Sequence, residues 1–386
     1  MKKVLGITNI RSDYDLVSGV YEILDDDPEV DLKLLVGGAH LSPTYGNTFK
    51  NIKNDGFEIL AKIETLIDSN TPQSRLKTAS LLLQSSTDIV AQHSPDAILY
   101  AGDREDVIVG GLLGAYLNIP TYHFYGGDHV IDGHVDNAVR HATSKLSTFH
   151  MVTIPTHKER LLKMGESEER IFVVGSTALD KFNSHKPYSR KEIKKKFNLP
   201  FEINEYALVI FHPQDLERQD SAKYFQNILD SLKEIDLPAF VSYPNTDPGN
   251  KDIIDVIRAF EKREQFIFYK NLDRDLFLSI FKKASFLIGN SSAGILEAAS
   301  IPIPAINVGI RQLGRSANRN VIFCKVNKGA IINSIKKALS QDFKDSIKDI
   351  ENIYGDGNSS KKAAEIIKNF KVDDLLYKTE DPLNNE

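Results

Sequence analysis

Short apolar runs alternate with amphipathic stretches almost from one end of the chain to the other, the pattern of a parallel sheet covered by helices on both faces. In the first half the runs KVLGIT (Lys3–Thr8), LKLLVG (Leu32–Gly37), AILYAG (Ala97–Gly102), PTYHFY (Pro120–Tyr125), HMVTI (His150–Ile154) and IFVVG (Ile171–Gly175) predict strands. Helical spacing fills the gaps near Leu16–Leu24, Ser74–His93, Asp106–Leu117 and Val135–Ser147. A polar, proline-containing stretch after Asp180, KFNSHKPYSRKEIKKKFNLPFEINE, reads as a linker. The rhythm then restarts with YALVIF (Tyr206–Phe211), AFVSY (Ala239–Tyr243), QFIFY (Gln265–Tyr269), SFLIG (Ser285–Gly289), PAINV (Pro304–Val308) and VIFCK (Val321–Lys325). The expected architecture is therefore α/β: two doubly wound domains, residues 1–183 and 184–370, facing across a cleft, and a tail at 371–386 that ends in a fraying TEDPLNNE.

Length and composition narrow this picture. A chain of 386 residues is too long for one ordinary core. With 48 basic against 53 acidic residues the net charge is −5, so no global basic field draws it to nucleic acid or anionic lipid. The one lysine-rich run, RKEIKKK (Arg190–Lys196), lacks interleaved aromatics and reads as a solvated helix face. No apolar run approaches the ~20 residues that cross a bilayer. A single cysteine, Cys324, excludes a disulfide framework and fits a cytoplasmic protein. Gly110, Gly111 and Gly114 fall inside a helix without the G-x-G-x-x-G order, so they are assigned to helix packing.

Candidate chemistry collects where predicted strands end. SFLIG runs into Asn290, Ser291 and Ser292, and a helix is expected from Ala293 to Ser300. Its free N–H groups and dipole would favour an anion, with Ser291 and Ser292 adding hydroxyls, Glu297 placed to accept from a ribose, and Arg311 and Arg315 returning towards phosphates. The alternative is an ordinary turn capped by serine. AILYAG ends in Asp103 and Arg104: the arginine suits a phosphate, and the aspartate suits either a general acid–base role or a helix cap. Arg11 and its neighbours follow the first strand.

After PTYHFY comes an acidic loop, Gly126 to Asn137, holding Asp128, Asp132 and Asp136, with Arg140 and His141 beyond. Shielded from water, such acids can hold different protonation states and divide acid and base roles. A solvated loop with Asp136 at a helix start is the alternative. A metal site from Asp128, His129, Asp132 and His134 would lack any fixing motif, and no metal is expected. In the second half His212, after YALVIF, suits a diphosphate oxygen, a proton shuttle or a plain turn, while Asn245 and Asp247 in PNTDPG suit sugar hydroxyls or a proline–glycine turn.

Taken in order, ITNIRSDYD, LSPTYGNTFKNIKNDGFEI, AGDRED, the GGD loop with VDNAVRHATSKLS, FHPQ, PNTDPG and GNSSAGILEA followed by NVGIRQLGR resemble the UDP-N-acetylglucosamine 2-epimerases over roughly residues 1–370. RHATSKLS and RQLGR resemble the hydrolysing branch, which releases N-acetylmannosamine for sialic-acid-like sugars. The resemblance implies a glycosyltransferase-B-like pair of domains and a two-stage reaction without a cofactor: elimination of UDP to a glycal, then hydration. It also implies a small-molecule nucleotide sugar as partner, no nucleic acid or membrane, and a homodimer or homotetramer. Carried to this chain, Arg11, Arg104, Ser291, Ser292 and Arg311 lie near the diphosphate and Glu297 on the ribose. Asp103, His212 and the acidic loop lie around C1 and C2.

The chain departs from the family in that loop. The family's Gly-Gly-Glu is Gly-Gly-Asp128 here, and its paired Asp-Asp is Asp136-Asn137, eight residues after Asp128. Either Asp128 or Asp132 takes the place of the glutamate. The leading substrate on this reading is UDP-N-acetylglucosamine. A diacetamido-trideoxyhexose on UDP or GDP, a non-hydrolysing epimerase and a glycosyltransferase are the alternatives.

Overall fold

The computed structural model describes residues 1–69, 71–132, 134–200, 202–214, 216–245, 247–270, 272–369 and 375–381. Gly133 of the acidic loop, Thr246 of PNTDPG, the side chain of His134 and much of the 371–386 tail lie outside the described residues.

The chain forms two compact units. The first comprises Met1–Asp128, Val135–Lys181 and Tyr354–Glu386; the second comprises His129–His134 and Phe182–Ile353. The chain thus passes to the second unit at Lys181/Phe182 and returns to the first at Tyr354, ahead of the boundary at 370 read from the sequence.

In the first unit the strands are β1 (Lys2–Thr8), β2 (Val30–Gly37), β3 (Ile59–Ile63), β4 (Ala97–Ala101), β5 (Thr121–Phe124), β6 (Phe149–Val152) and β7 (Ile171–Val173). They form one parallel sheet in the order β3-β2-β1-β4-β5-β6-β7. Alternate side chains serve opposite faces. Val4, Leu34 and Leu99 join a core with Val17, Val20 and Tyr21 of helix Arg11–Asp25 and with Ala363, Ala364 and Ile367 of helix Ser359–Asn369. Their neighbours Leu5, Leu35 and Tyr100 meet Leu82 and Val90 of helix Pro72–His93 and Val109 and Leu113 of helix Val107–Leu117. A methyl on Gly110 would lie 2.4 Å from the Tyr100 ring, and one on Gly114 2.0 Å from Thr121, so these glycines do serve helix packing.

The second unit holds β8 (Ala207–Ile210), β9 (Ala239–Ser242), β10 (Phe266–Tyr269), β11 (Phe286–Gly289), β12 (Ala305–Val308) and β13 (Val321–Cys324), parallel in the order β10-β9-β8-β11-β12-β13. Helices Ser221–Glu234, Asn250–Phe260 and Lys328–Leu339 pack on it through residues such as Phe225, Ile253 and Ile331. Among its described residues, the stretch read as a linker holds a short helix. Ser189 and Glu192 form a capping box for helix Arg190–Lys196, Ile193 is buried beneath its exposed lysines, and the Tyr188 N–H donates to Ser279 Oγ at 2.8 Å.

In each sheet the strand order reverses direction once: between β1 and β4 in the first, between β8 and β11 in the second. Ligands of doubly wound sheets bind beyond the carboxyl ends of the strands at such points. Arg11, Asp103 and Arg104 follow β1 and β4; His212, Ser291 and Ser292 follow β8 and β11.

Candidate active site

At the switch point of the second unit, Gly289 ends β11 with φ +145, and a Cβ there would stand 1.9 Å from the Ile210 carbonyl oxygen of β8. Only glycine fits so close an approach. The next residue, buried Asn290, uses it: Oδ1 accepts the His212 N–H and Nδ2 donates to the His212 carbonyl, both at 2.8 Å. His212 is thereby fixed at the strand end. Its Nδ1 accepts the Asn245 N–H at 3.1 Å, so the neutral ring carries its proton on Nε2. Burial first, and then the charge of Arg311, pushes the His212 pKa down to about 3 against the opposing pull of Asp247. This is an uncharged hydrogen-bond donor.

Side-chain amides also build the arginine site. Gln214 Oε1 accepts from the N–H groups of Ile310 (2.7 Å) and Arg311 (3.1 Å), while Arg311 Nη1 and Gln312 Nε2 donate to the Asn290 carbonyl at 3.2 and 2.9 Å. Arg311 Nη2 stands 3.9 Å from Asp247, whose carboxylate accepts from Asn245 Nδ2 at 2.5 Å. Arg315 donates to Gln312 Oε1 at 2.7 Å.

The helix after Ser292 is shorter than its sequence suggests. It runs only from Ala293 to Leu296, and a 3₁₀ turn, Ala298–Ser300, replaces the rest, with Glu297 at the joint. Pro302 and Pro304 close off the segment before β12, since neither offers an N–H. The Ser300 N–H turns to the Glu297 carbonyl at 2.9 Å, and the Leu296 carbonyl takes Asn352 Nδ2 at 2.7 Å instead. One turn has little macrodipole, so affinity for an anion would fall to individual N–H groups, Ser291, Ser292 and Arg311. Ser291 Oγ accepts the Ala293 N–H at 3.3 Å from outside the helix, whose N-cap residue is Ser292.

The acidic loop divides between the units. Its segment His129–His134 belongs to the second, where the Ile131 N–H donates to the Leu313 carbonyl at 3.1 Å and Asp132 Oδ1 accepts the Leu216 N–H at 2.9 Å. Asp128 belongs to the first, with its carboxylate 3.3 Å from His157 Nε2. Asp132 is therefore occupied by a backbone group, while Asp128 faces an imidazole.

In the first unit Asp103 follows β4 and pairs with the guanidinium of Arg140, a buried residue of helix His134–Leu146. The same guanidinium donates to the Asp128 carbonyl at 3.1 Å and to Asn137 Oδ1 at 3.2 Å, with Asp136 in the first turn of that helix. Asp103 is not a cap: helix Val107–Leu117 has Asp106 at its N-cap position. Burial, Asp13 and Glu105 together raise the Asp106 pKa to about 7 against Arg104, and Asp106 Oδ1 has no partner among the described residues. Arg11 pairs with Asp15 at 3.3 Å, one turn along its own helix. Behind Asp103, buried His123 donates from Nε2 to the Gly102 carbonyl at 2.9 Å and meets Ser144 Oγ at 3.2 Å through Nδ1; burial pushes its pKa down to about 3.

Arg140, His123, Asn290, Gln214 and Gln312 carried no assigned role in the sequence. Arg140, one helical turn after Asp136, was the one with a signal in its spacing. Among the described residues no group of three or more His, Cys, Asp or Glu could hold a metal ion, and no helix is long and apolar enough to cross a membrane.

The sequence matches the family described as UDP-N-acetylglucosamine 2-epimerase over residues 22–368. It is 34% identical over 373 residues, 96% of this chain and 97% of the other, to the hydrolysing UDP-N,N'-diacetylbacillosamine 2-epimerase of Legionella pneumophila. The hydrolysing GDP/UDP-N,N'-diacetylbacillosamine 2-epimerase of Campylobacter jejuni is 29% identical over 98% of both chains, and a UDP-N-acetylglucosamine 2-epimerase of Neisseria meningitidis serogroup B is 30% identical over 88% of both. Among solved structures, the Neisseria meningitidis UDP-GlcNAc 2-epimerase bound to UDP-GlcNAc superposes with a TM-score of 0.77, at 19% identity, over 95% of this chain and 99% of that one. That likeness concerns the fold, a glycosyltransferase-B-like pair of parallel α/β domains.

Proposed function

Because this chain belongs to the UDP-N-acetylglucosamine 2-epimerase family and is a nucleotide-sugar 2-epimerase, we propose that its reaction is the hydrolysing one on N,N'-diacetylbacillosamine linked to UDP or GDP. The observation that carries this substrate is the similarity to the Legionella enzyme across nearly the whole of both chains. It displaces the N-acetylglucosamine expected from the motifs alone.

In the first stage a base takes the C2 proton, the C2–H electron pair becomes the C1=C2 bond, and the C1–O pair leaves with the nucleoside diphosphate. In the second, a proton returns to C2 on the opposite face and water adds to C1. The net reaction consumes one water and releases the free 2-epimer. The C2 hydrogen lacks an adjacent carbonyl, so base and leaving-group stabilisation must act together.

We assign diphosphate binding to Ser291, Ser292, Arg311 and the Nε2–H of His212, with Arg11 and Arg104 as further cations. Glu297 would bind the ribose, and Asn245 and Asp247 would bind hydroxyls. A histidine held neutral by burial suits donation to a phosphate oxygen better than proton abstraction, because Nδ1 is already engaged. Proton transfer is assigned to Asp103, Asp128 and Asp136. Asp128 is preferred to Asp132 because the latter accepts a backbone N–H.

The test is to incubate the protein with UDP- and GDP-linked diacetylbacillosamine, and separately with UDP-N-acetylglucosamine, following nucleotide and sugar by NMR. Free sugar and nucleotide from the diacetamido substrates are expected. Turnover of UDP-N-acetylglucosamine alone would establish the second reading, which the Neisseria relative supports. A sugar that remains nucleotide-linked would overturn hydrolysis.

A further inference from the structure

A cluster of buried charge in the first unit lies outside the residues assigned above. Its centre is Glu166, whose Oε2 accepts from His150 Nε2 at 2.8 Å and from Lys378 Nζ at 2.5 Å, while Oε1 stands 2.7 Å from Lys145 Nζ. Burial alone would raise the Glu166 pKa, but His150, Lys378 and Lys145 draw it down to about 2. Lys378 comes from the segment 375–381, which buried Arg170 fastens: the guanidinium donates to the carbonyls of Leu375 and, at 2.9 Å, Tyr377, and to Glu380 Oε1 at 2.6 Å. Thr379–Asp381, expected to fray, is thus part of a docked strap.

The strap ends on the helix that bears Arg140. Lys378 Nζ also donates to the carbonyls of Ser144 (3.0 Å) and Lys145 (3.1 Å) in the last turn of helix His134–Leu146. A cation there complements the negative end of the helix dipole. From that turn, contacts reach the Asp103 corner by two routes. One passes along the helix to Arg140 and so to the Asp103 carboxylate. The other passes from the Ser144 hydroxyl through His123 to the carbonyl of Gly102, the residue before Asp103.

We propose that Lys378 is a positioning residue for Asp103, with the 375–381 strap fixing the rotation and axial register of helix His134–Leu146. The inference rests on the assignment of Asp103 to proton transfer. A slip of one residue in that helix moves each side chain by ~1.5 Å along the axis and turns it by about 100°, which takes Arg140 out of reach of Asp103.

The experiment compares full-length Lys378→Met, Lys378→Arg and the milder Glu380→Gln, which loosens the Arg170 tie and keeps the Lys378 ammonium in place. In Lys378→Met, kcat on the diacetamido substrate should fall by roughly 10- to 100-fold, the scale of a displaced catalytic group, with KM and nucleotide affinity within about twofold. Lys378→Arg should recover most of the loss, and Glu380→Gln should show the same split more weakly. Amide exchange in Lys378→Met should quicken at Lys145–Ser147 and Gly102–Arg104 ahead of the rest of the unit. An unchanged kcat in a folded variant, or exchange raised uniformly across the first unit, overturns the proposal. If the wild type itself turns over none of the sugars, the functional reading fails instead, and the exchange pattern still decides whether strap and Asp103 are linked.

Discussion

The two strand-order reversals are built from different materials. In the second unit, neutral amides do the holding: Asn290, Gln214 and Gln312 fix His212 and Arg311 through backbone groups, and the histidine itself is uncharged. In the first, ionisable groups hold one another: Arg140 pairs with Asp103, and His157 faces Asp128. An amide frame keeps its geometry whatever the pH, which suits recognition of a fixed anion. A frame of ionisable groups can change charge during a reaction, which suits proton transfer. The contrast predicts that substitutions in one region should change affinity and substitutions in the other should change rate.

The largest effect is expected at Asp103. Asp103→Asn should lower turnover by roughly 10² to 10⁴, the usual scale for a general acid or base, and leave nucleotide affinity within a few-fold. A loss of affinity in proportion to rate would dissolve the contrast. Run in deuterated water, the wild-type reaction should place deuterium at C2 of the released sugar.

Next comes Arg311→Ala, which should weaken UDP or GDP binding by about 1 to 3 kcal/mol in calorimetry if a charge-assisted bond is lost. Equal affinity in the variant would remove Arg311 from the nucleotide site. Asn290→Ala sharpens the same point from behind. It leaves the His212 N–H and carbonyl without their partner, and a stability loss of about 1 to 3 kcal/mol in denaturant unfolding is expected.

The effect with least bearing on the comparison concerns Asp106. Its pKa in the fold, about 7, lies above the ordinary carboxylate value, so the folded state binds the proton more tightly than the unfolded state does. Stability from this group is complete below its ordinary pKa of 3.8 and is lost progressively as pH rises from there to about 7. Asp106→Asn should therefore raise the thermal midpoint at pH 8.5 and change it little near pH 3.5, below the carboxyl's ordinary pKa of 3.8. A gain of equal size at both pH values would remove the carboxyl as its cause.

The sequence announced most of the strands because central parallel strands are apolar on both faces, as AILYA and ALVI are. It concealed β3, an edge strand whose ILAKI is half exposed and carries Lys62. Strand ends pointed to Asp103, His212 and Ser291, since a doubly wound sheet places chemistry there. The partners of those residues stayed hidden, because Arg140 meets Asp103 across 37 positions and Asn290 meets His212 across 78. No local spacing encodes such pairs. The break at Glu297 was hidden for the same reason, since Asn352 supplies the donor that the shortened helix lacks.

The return of the chain at Tyr354 bears on how the protein is made. On the ribosome, Val17, Val20 and Tyr21 emerge early, but Ala363, Ala364 and Ile367, which cover the same core, are synthesised only after Phe182–Ile353. Throughout that interval the early half presents an uncovered greasy face to the cell. Slowed elongation within residues 182–353 would lengthen this exposure, giving chaperones and nascent-chain aggregation more time to compete for it.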